Sequence, residues 1–180
     1  MTASPPPPPP PPSRPSVRPS IPHKCHPDVN ALFLLGEKIS STLEKSETKS
    51  LLETELGQQL RQTFQQCRPY RNNYKNSKEK FMKDTSNKEL KQQVAKDELA
   101  YQSCLAAQAC SHRWNLYVHC WSPLMENPKL LQDFQQAGML HHLCERERRA
   151  VERCASQMVS TVIREADDQP GVSKDDTMAV

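Results

Sequence analysis

Glycine is scarce in this sequence, with 4 residues in 180, and aromatic residues make up only 6%. Sheets are built from β-branched and aromatic strands joined by glycine-rich turns, so a sheet-based fold is short of its ingredients. No apolar run approaches the roughly 18 residues of a membrane-crossing helix. The longest reaches only from Ala31 to Leu35, so the chain is expected to be soluble or to touch a membrane only peripherally. Neither sign of charge dominates: 24 Lys and Arg stand against 21 Asp and Glu, a net +3. That leaves no broad cationic field to capture nucleic acid by counterion release, and none is expected as a partner.

Catalytic arrays are missing as well. No glycine-rich phosphate loop, Ser-His-Asp array or facing carboxylate pair can be placed, so no enzyme activity, small-molecule substrate or cofactor is expected. A redox enzyme would want Cys-x-x-Cys or Cys-Pro-Cys with an accessible low-pKa thiol, and the sequence has neither.

Proline and cysteine are what the chain has in quantity. Of 16 prolines, eight form an unbroken run from Pro5 to Pro12. The first 27 residues carry Ser and Arg but no acid, like a transit peptide, yet the proline run forbids the amphipathic helix such a signal needs. Residues 1–27 therefore read as a disordered arm with polyproline II character, a ligand for SH3 or WW domains being the functional alternative.

Helical spacing takes over after the arm. Val29, Leu32, Phe33, Leu35, Ile39 and Leu43 predict one helix ending near Ser46, and Leu52, Leu56, Leu60, Phe64 and Cys67 a second from about Glu47. Arg68-Pro69-Tyr70 breaks the pattern, and the polar, basic stretch to Lys83 reads as a solvated linker, RNA contact being the alternative. Ser86-x-x-Glu89 has the spacing of a capping box and predicts a long helix to about Cys120, ended by Trp121-Ser122-Pro123. Asn127-Pro128 and Gly138 bracket a short helix, a final helix covers 139–166, and 167–180 reads as a disordered tail. The organisation expected is an arm (1–27), amino-terminal helices with a basic linker (28–85), a helical hairpin (86–166) and a tail.

Four of the seven cysteines form two equal pairs, Cys110 with Cys120 and Cys144 with Cys154, each enclosing nine residues. Ten residues at 100° each bring both members to one side of a helix, about 15 Å apart, so no bridge forms within a helix. Antiparallel packing of two such helices would bring outer beside outer and inner beside inner, implying Cys110 to Cys154 and Cys120 to Cys144. The apolar stripes coincide with these cysteines: Leu99, Ala106, Trp114 and Tyr117 on one helix, Leu140, Leu143, Val151, Met158 and Val162 on the other. So thin a seam needs covalent help. Cys104 sits beside a second stripe of Leu90, Val94, Tyr101 and Leu105, where Cys67 would either meet it in a third bridge or leave two buried thiols. Cys25 is left over, either free or paired elsewhere. His119, Cys120, His141, His142 and Cys144 are also a zinc-ligand set by residue type, though not at finger spacing.

Over about Leu99 to Val162 the sequence resembles the twin Cys-x9-Cys, or coiled-coil-helix-coiled-coil-helix, family of mitochondrial proteins. The 23 residues between the two pairs are long for that family. The resemblance implies a disulfide-stapled antiparallel helical hairpin; with the helices and termini read above, the fold expected is all-α, the hairpin carrying additional amino-terminal helices and disordered termini. It also implies trapping in the intermembrane space by the oxidative import machinery, with Trp114 and Tyr117 after Cys110, and Met158 and Val162 beside Cys154, as an import signal. Copper carriers of this kind use adjacent cysteines or Cys-x-Cys, which do not occur here. The function expected is a non-catalytic accessory subunit peripheral to the inner membrane, on the intermembrane-space side of a respiratory-chain complex, with Trp114, Trp121 and Phe134 either simply buried, the reading preferred, or acting as contact anchors. The alternatives are an assembly factor in the same compartment, a mitochondrial ribosome subunit, and a zinc-binding adaptor.

Overall fold

The computed structural model describes residues 21–42 and 53–168. Among them there is no strand. A 3-10 turn, η1 (His23–Cys25), leads into α1 (Asn30–Thr42). There follow α2 (Glu55–Gln66), α3 (Arg68–Lys83), α4 (Lys88–Ala109), α5 (Ser111–Glu126), α6 (Pro128–Gln136), a second 3-10 turn η2 (Leu140–His142), and α7 (Glu145–Asp167). The expected all-α class holds, and the disulfides link helices. The expectations for residues 1–20, 43–52 and 169–180 lie outside the described residues.

Side-chain caps set several of the helix starts. Thr54 accepts from the backbone N–H of Gly57 at 2.9 Å, and Asn127 accepts from that of Leu130 at 3.2 Å with Pro128 as the first residue of α6. The start of α4 differs from the expected capping box by one residue: Asn87 is the cap, accepting from Glu89 and Leu90, while Ser86 bonds Asp84. Gly138, at φ 70°, closes α6. Its N–H donates to the Gln135 carbonyl and that of Met139 to the Phe134 carbonyl, the paired bonds that want a left-handed residue.

The apolar residues of α1, α2, α4, α5 and α7 meet in one core. Leu32, Leu60, Tyr101, Leu105, Tyr117, Trp121, Val151 and Ala155 are fully enclosed there. Each large aliphatic side chain buried in this way contributes about 1.5–3 kcal/mol from removal of apolar surface from water. Gly36 of α1 lies against the Phe64 ring of α2: an added Cβ would lie 2.7 Å from Phe64 Cε1.

Four expectations need correction. The stretch 68–83 is not a solvated linker but the helix α3, lying antiparallel along α4 across a four-residue turn. Pro69 does not break it, because proline fits a first turn whose N–H groups have no intrahelical partner. Tyr74 is buried, its ring 5.5 Å from that of Phe33, which in turn lies 5.3 Å from Tyr101. Secondly, Ile21–Pro27 is not part of a disordered arm. Ile21, Cys25 and Val29, spaced by four, are all buried in the core.

Thirdly, the long helix expected from Ser86 to Cys120 turns a corner at Cys110, whose φ of −123° and ψ of 42° are non-helical. Its N–H still donates to Ala106 and its carbonyl accepts from Trp114, so hydrogen bonding passes through the corner. The second part then runs through Pro123 to Glu126 instead of stopping at Trp121. Proline removes one donor there, and the Ser122 hydroxyl donates to the carbonyl of Val118 at 3.1 Å, one turn back. Fourthly, the last helix begins at Glu145 rather than Met139, because Cys144 adopts a left-handed conformation, φ 55° and ψ 24°.

Candidate functional site

The feature that organises the molecule is the seam between α5 and α7. Cys110 stands at the start of α5 and bonds Cys154 in the middle of α7; Cys120, near the other end of α5, bonds Cys144 just before α7. Higher positions on one helix meet lower positions on the other, so the pair is antiparallel. The Cα atoms are 6.1 and 5.9 Å apart, within the usual span of a disulfide. These are the pairings that antiparallel packing of the two Cys-x9-Cys segments implies. The third bridge joins Cys67, at the corner between α2 and α3, to Cys104 on α4, with a Cα separation of 5.8 Å. Of the two readings open for that pair, the bridge is the one the structure contains.

The bridges close chain separations of 24, 37 and 44 residues. Restriction of the unfolded chain by loops of that size stabilises the fold by about 3–4 kcal/mol each in the chain-entropy account. Cys120 and Cys144 are joined to each other, so neither is a thiolate for the zinc set that the sequence suggests with His119, His141 and His142. The rings of His141 and His142 lie 3.9 Å apart, and His142 Nδ1 is 3.5 Å from a Glu145 carboxylate oxygen.

Between the two staples Tyr117 is completely buried, its ring 5.8 Å from Trp114 and 6.4 Å from Trp121. Trp121 is completely buried too, so of its two readings burial holds and the contact anchor does not. Trp114 and Phe134 keep part of their surface exposed.

A strap made of residues 21–29 lies across the seam, and sequence reasoning missed it. The Tyr117 hydroxyl donates to the carbonyl of Cys25, the Cys25 thiol donates to the Leu140 carbonyl at 3.3 Å, and the Asp28 N–H donates to Glu152 at 3.1 Å. Arg148 holds the same Glu152 carboxylate at 2.6 Å. The signal available was the four-residue spacing of Ile21, Cys25 and Val29, hidden by the surrounding prolines. Burial pushes the Cys25 thiol pKa up, against the opposing charge of Arg148. The free cysteine is therefore a buried, protonated thiol and a poor nucleophile. His26 is lowered to about 4, chiefly by burial, which a backbone hydrogen bond at Ile21 partly offsets, so its imidazole is neutral near pH 7.

A second polar cluster ties α1 to α3. Arg71 Nε lies 2.5 Å and Lys75 Nζ 3.2 Å from the Glu37 carboxylate. Burial of Glu37 works against its ionised form, but the hydrogen bonds and charges of Arg71 and Lys75 outweigh it and hold the carboxyl below its ordinary range. Among the described residues no group of His, Cys, Asp and Glu is arranged to hold a metal ion, and no helix is long and apolar enough to cross a membrane. What the arrangement does chemically is to lock helices together. No protein-family model, curated protein or solved structure matches the chain.

Proposed function

We propose that the chain is a twin Cys-x9-Cys protein of the mitochondrial intermembrane space, acting as a non-catalytic accessory subunit on that side of an inner-membrane respiratory-chain complex. The observation that carries this reading is the pair of equal Cys-x9-Cys segments cross-linked outer to outer and inner to inner in an antiparallel hairpin. Disulfides of this kind persist in an oxidising compartment and are rare where glutathione keeps thiols reduced. Six of the seven cysteines are taken up by structure and the seventh is buried and protonated, which favours a scaffold over a redox carrier. Trp114 and Tyr117, four and seven residues after Cys110, suit an import signal read on the unfolded chain, so the later burial of Tyr117 is compatible with it.

Fractionation of mitochondria from the source organism tests the proposal. The protein should resist protease in intact mitochondria, be digested once the outer membrane is opened, and migrate with a mature respiratory complex on native gels. Presence in the same compartment but only with immature complexes would make it an assembly factor. Protection after outer-membrane rupture would place it in the matrix and overturn the reading.

A further inference from the structure

An open groove of about 690 Å³ lies between the strap, α4 and α5. Its apolar wall is formed by Ile21, Leu99, Trp114, Val118 and Met125, of which the last four are half-buried and show carbon surface to the groove. His23, His26 and Lys96 also line it, Lys96 being exposed, and among the described residues no carboxylate does. The volume falls in the range of small-molecule sites, which are mostly apolar with a few polar groups that fix orientation. Among the described residues Lys96 is the charged side chain of the lining, so the complementary ligand carries an apolar body and a negative head.

We propose that this groove binds a single-chain amphipathic carboxylate, with the acyl chain along Trp114, Val118 and Met125 and the carboxylate beside Lys96. Lys96 supplies the positive charge, and the two imidazoles lining the groove can donate or accept hydrogen bonds. The carbon chain gains by leaving water, and each added methylene strengthens binding roughly threefold to fourfold. This goes beyond the subunit reading and does not depend on it.

Trp114 provides the readout, because the other tryptophan, Trp121, is fully enclosed. Purified oxidised full-length protein would be titrated with octanoate, decanoate and dodecanoate below their micelle concentrations while tryptophan emission is followed. The expected result is a saturable change, roughly tenfold tighter for dodecanoate than for decanoate, absent in W114F. The exposed-site variant K96E should bind dodecanoate at least fivefold more weakly with unchanged thermal stability. Lack of saturation, equal affinity for dodecyltrimethylammonium, or an unaltered K96E response would overturn the proposal. So would saturation seen only after deletion of residues 1–20, which would make the chain's own amino-terminal segment the occupant.

Discussion

The phenol of Tyr117, midway between the two staples, donates to the main-chain carbonyl of Cys25, 92 positions earlier in the chain. That bond fastens the strap to the hairpin, and the Cys25 thiol is buried as a consequence. Y117F keeps the ring and removes the donor, leaving a buried carbonyl unpaired at a cost of about 1–3 kcal/mol. Chemical denaturation should show the loss, and Cys25 should become faster to label with maleimide under native conditions. An unchanged labelling rate would mean that apolar packing alone holds the strap.

Gly36 and Phe64 are in close contact in the core. In G36A the new methyl would sit 2.7 and 2.9 Å from the Phe64 ring and 3.1 Å from the Tyr101 hydroxyl, so the Phe64 ring or the helices must shift. Overpacking of this kind costs about 1–3 kcal/mol. A urea melt should move to a lower midpoint for G36A and recover part of the loss in the double variant G36A/F64L.

How much of this was legible in the sequence depended on how local the determinant was. The antiparallel hairpin could be read because Cys110, Cys120, Cys144 and Cys154 sit on apolar stripes of one period, so covalent and hydrophobic signals agreed. Helix α3 is not legible locally because Pro69 has the look of a breaker and because Tyr74 and Phe81 look isolated among lysines and asparagines. Their seven-residue spacing makes sense only once Phe33 of α1 is known to cover Tyr74. The strap is a long-range relation, in which Cys25 meets Leu140 and Tyr117, and its one local trace, the four-residue spacing of Ile21, Cys25 and Val29, does not say what it packs on. The close contact at Gly36 was likewise invisible, since a lone glycine in a helical pattern does not name its neighbour.

Tyr101 is fully enclosed, and its hydroxyl has no hydrogen-bond partner among the described residues. Burial, with the charge of Glu37 adding to it, pushes its pKa up to about 12. Removing an unsatisfied buried hydroxyl relieves its desolvation penalty, so Y101F should fold as stably as the parent or more so by about 1 kcal/mol. Thermal melts of the two proteins compare them directly.

Glu37 makes stability depend on acidity. Its pKa is lower in the folded chain than its ordinary value of 4.5, so its stabilising contribution is present above that value and is lost as pH falls through the lowered folded value. The carboxylate is partly exposed, which limits the effect to about 1 kcal/mol. Denaturation midpoints measured from pH 6 down to pH 3 should fall less steeply in E37Q than in the parent.

The pairing of the six bridged cysteines underlies both the fold and the proposed compartment, and peptide mapping of alkylated, unreduced protein from its native source reads it directly. Arg113 separates Cys110 from Cys120, Arg149 separates Cys144 from Cys154, and Leu105 offers a chymotryptic cut between Cys104 and Cys110. Linked peptides joining Cys67 to Cys104, Cys110 to Cys154 and Cys120 to Cys144, with Cys25 alkylated after unfolding, are the expected result. Alkylation of all seven cysteines, or linkage of Cys110 to any partner other than Cys154, would contradict it.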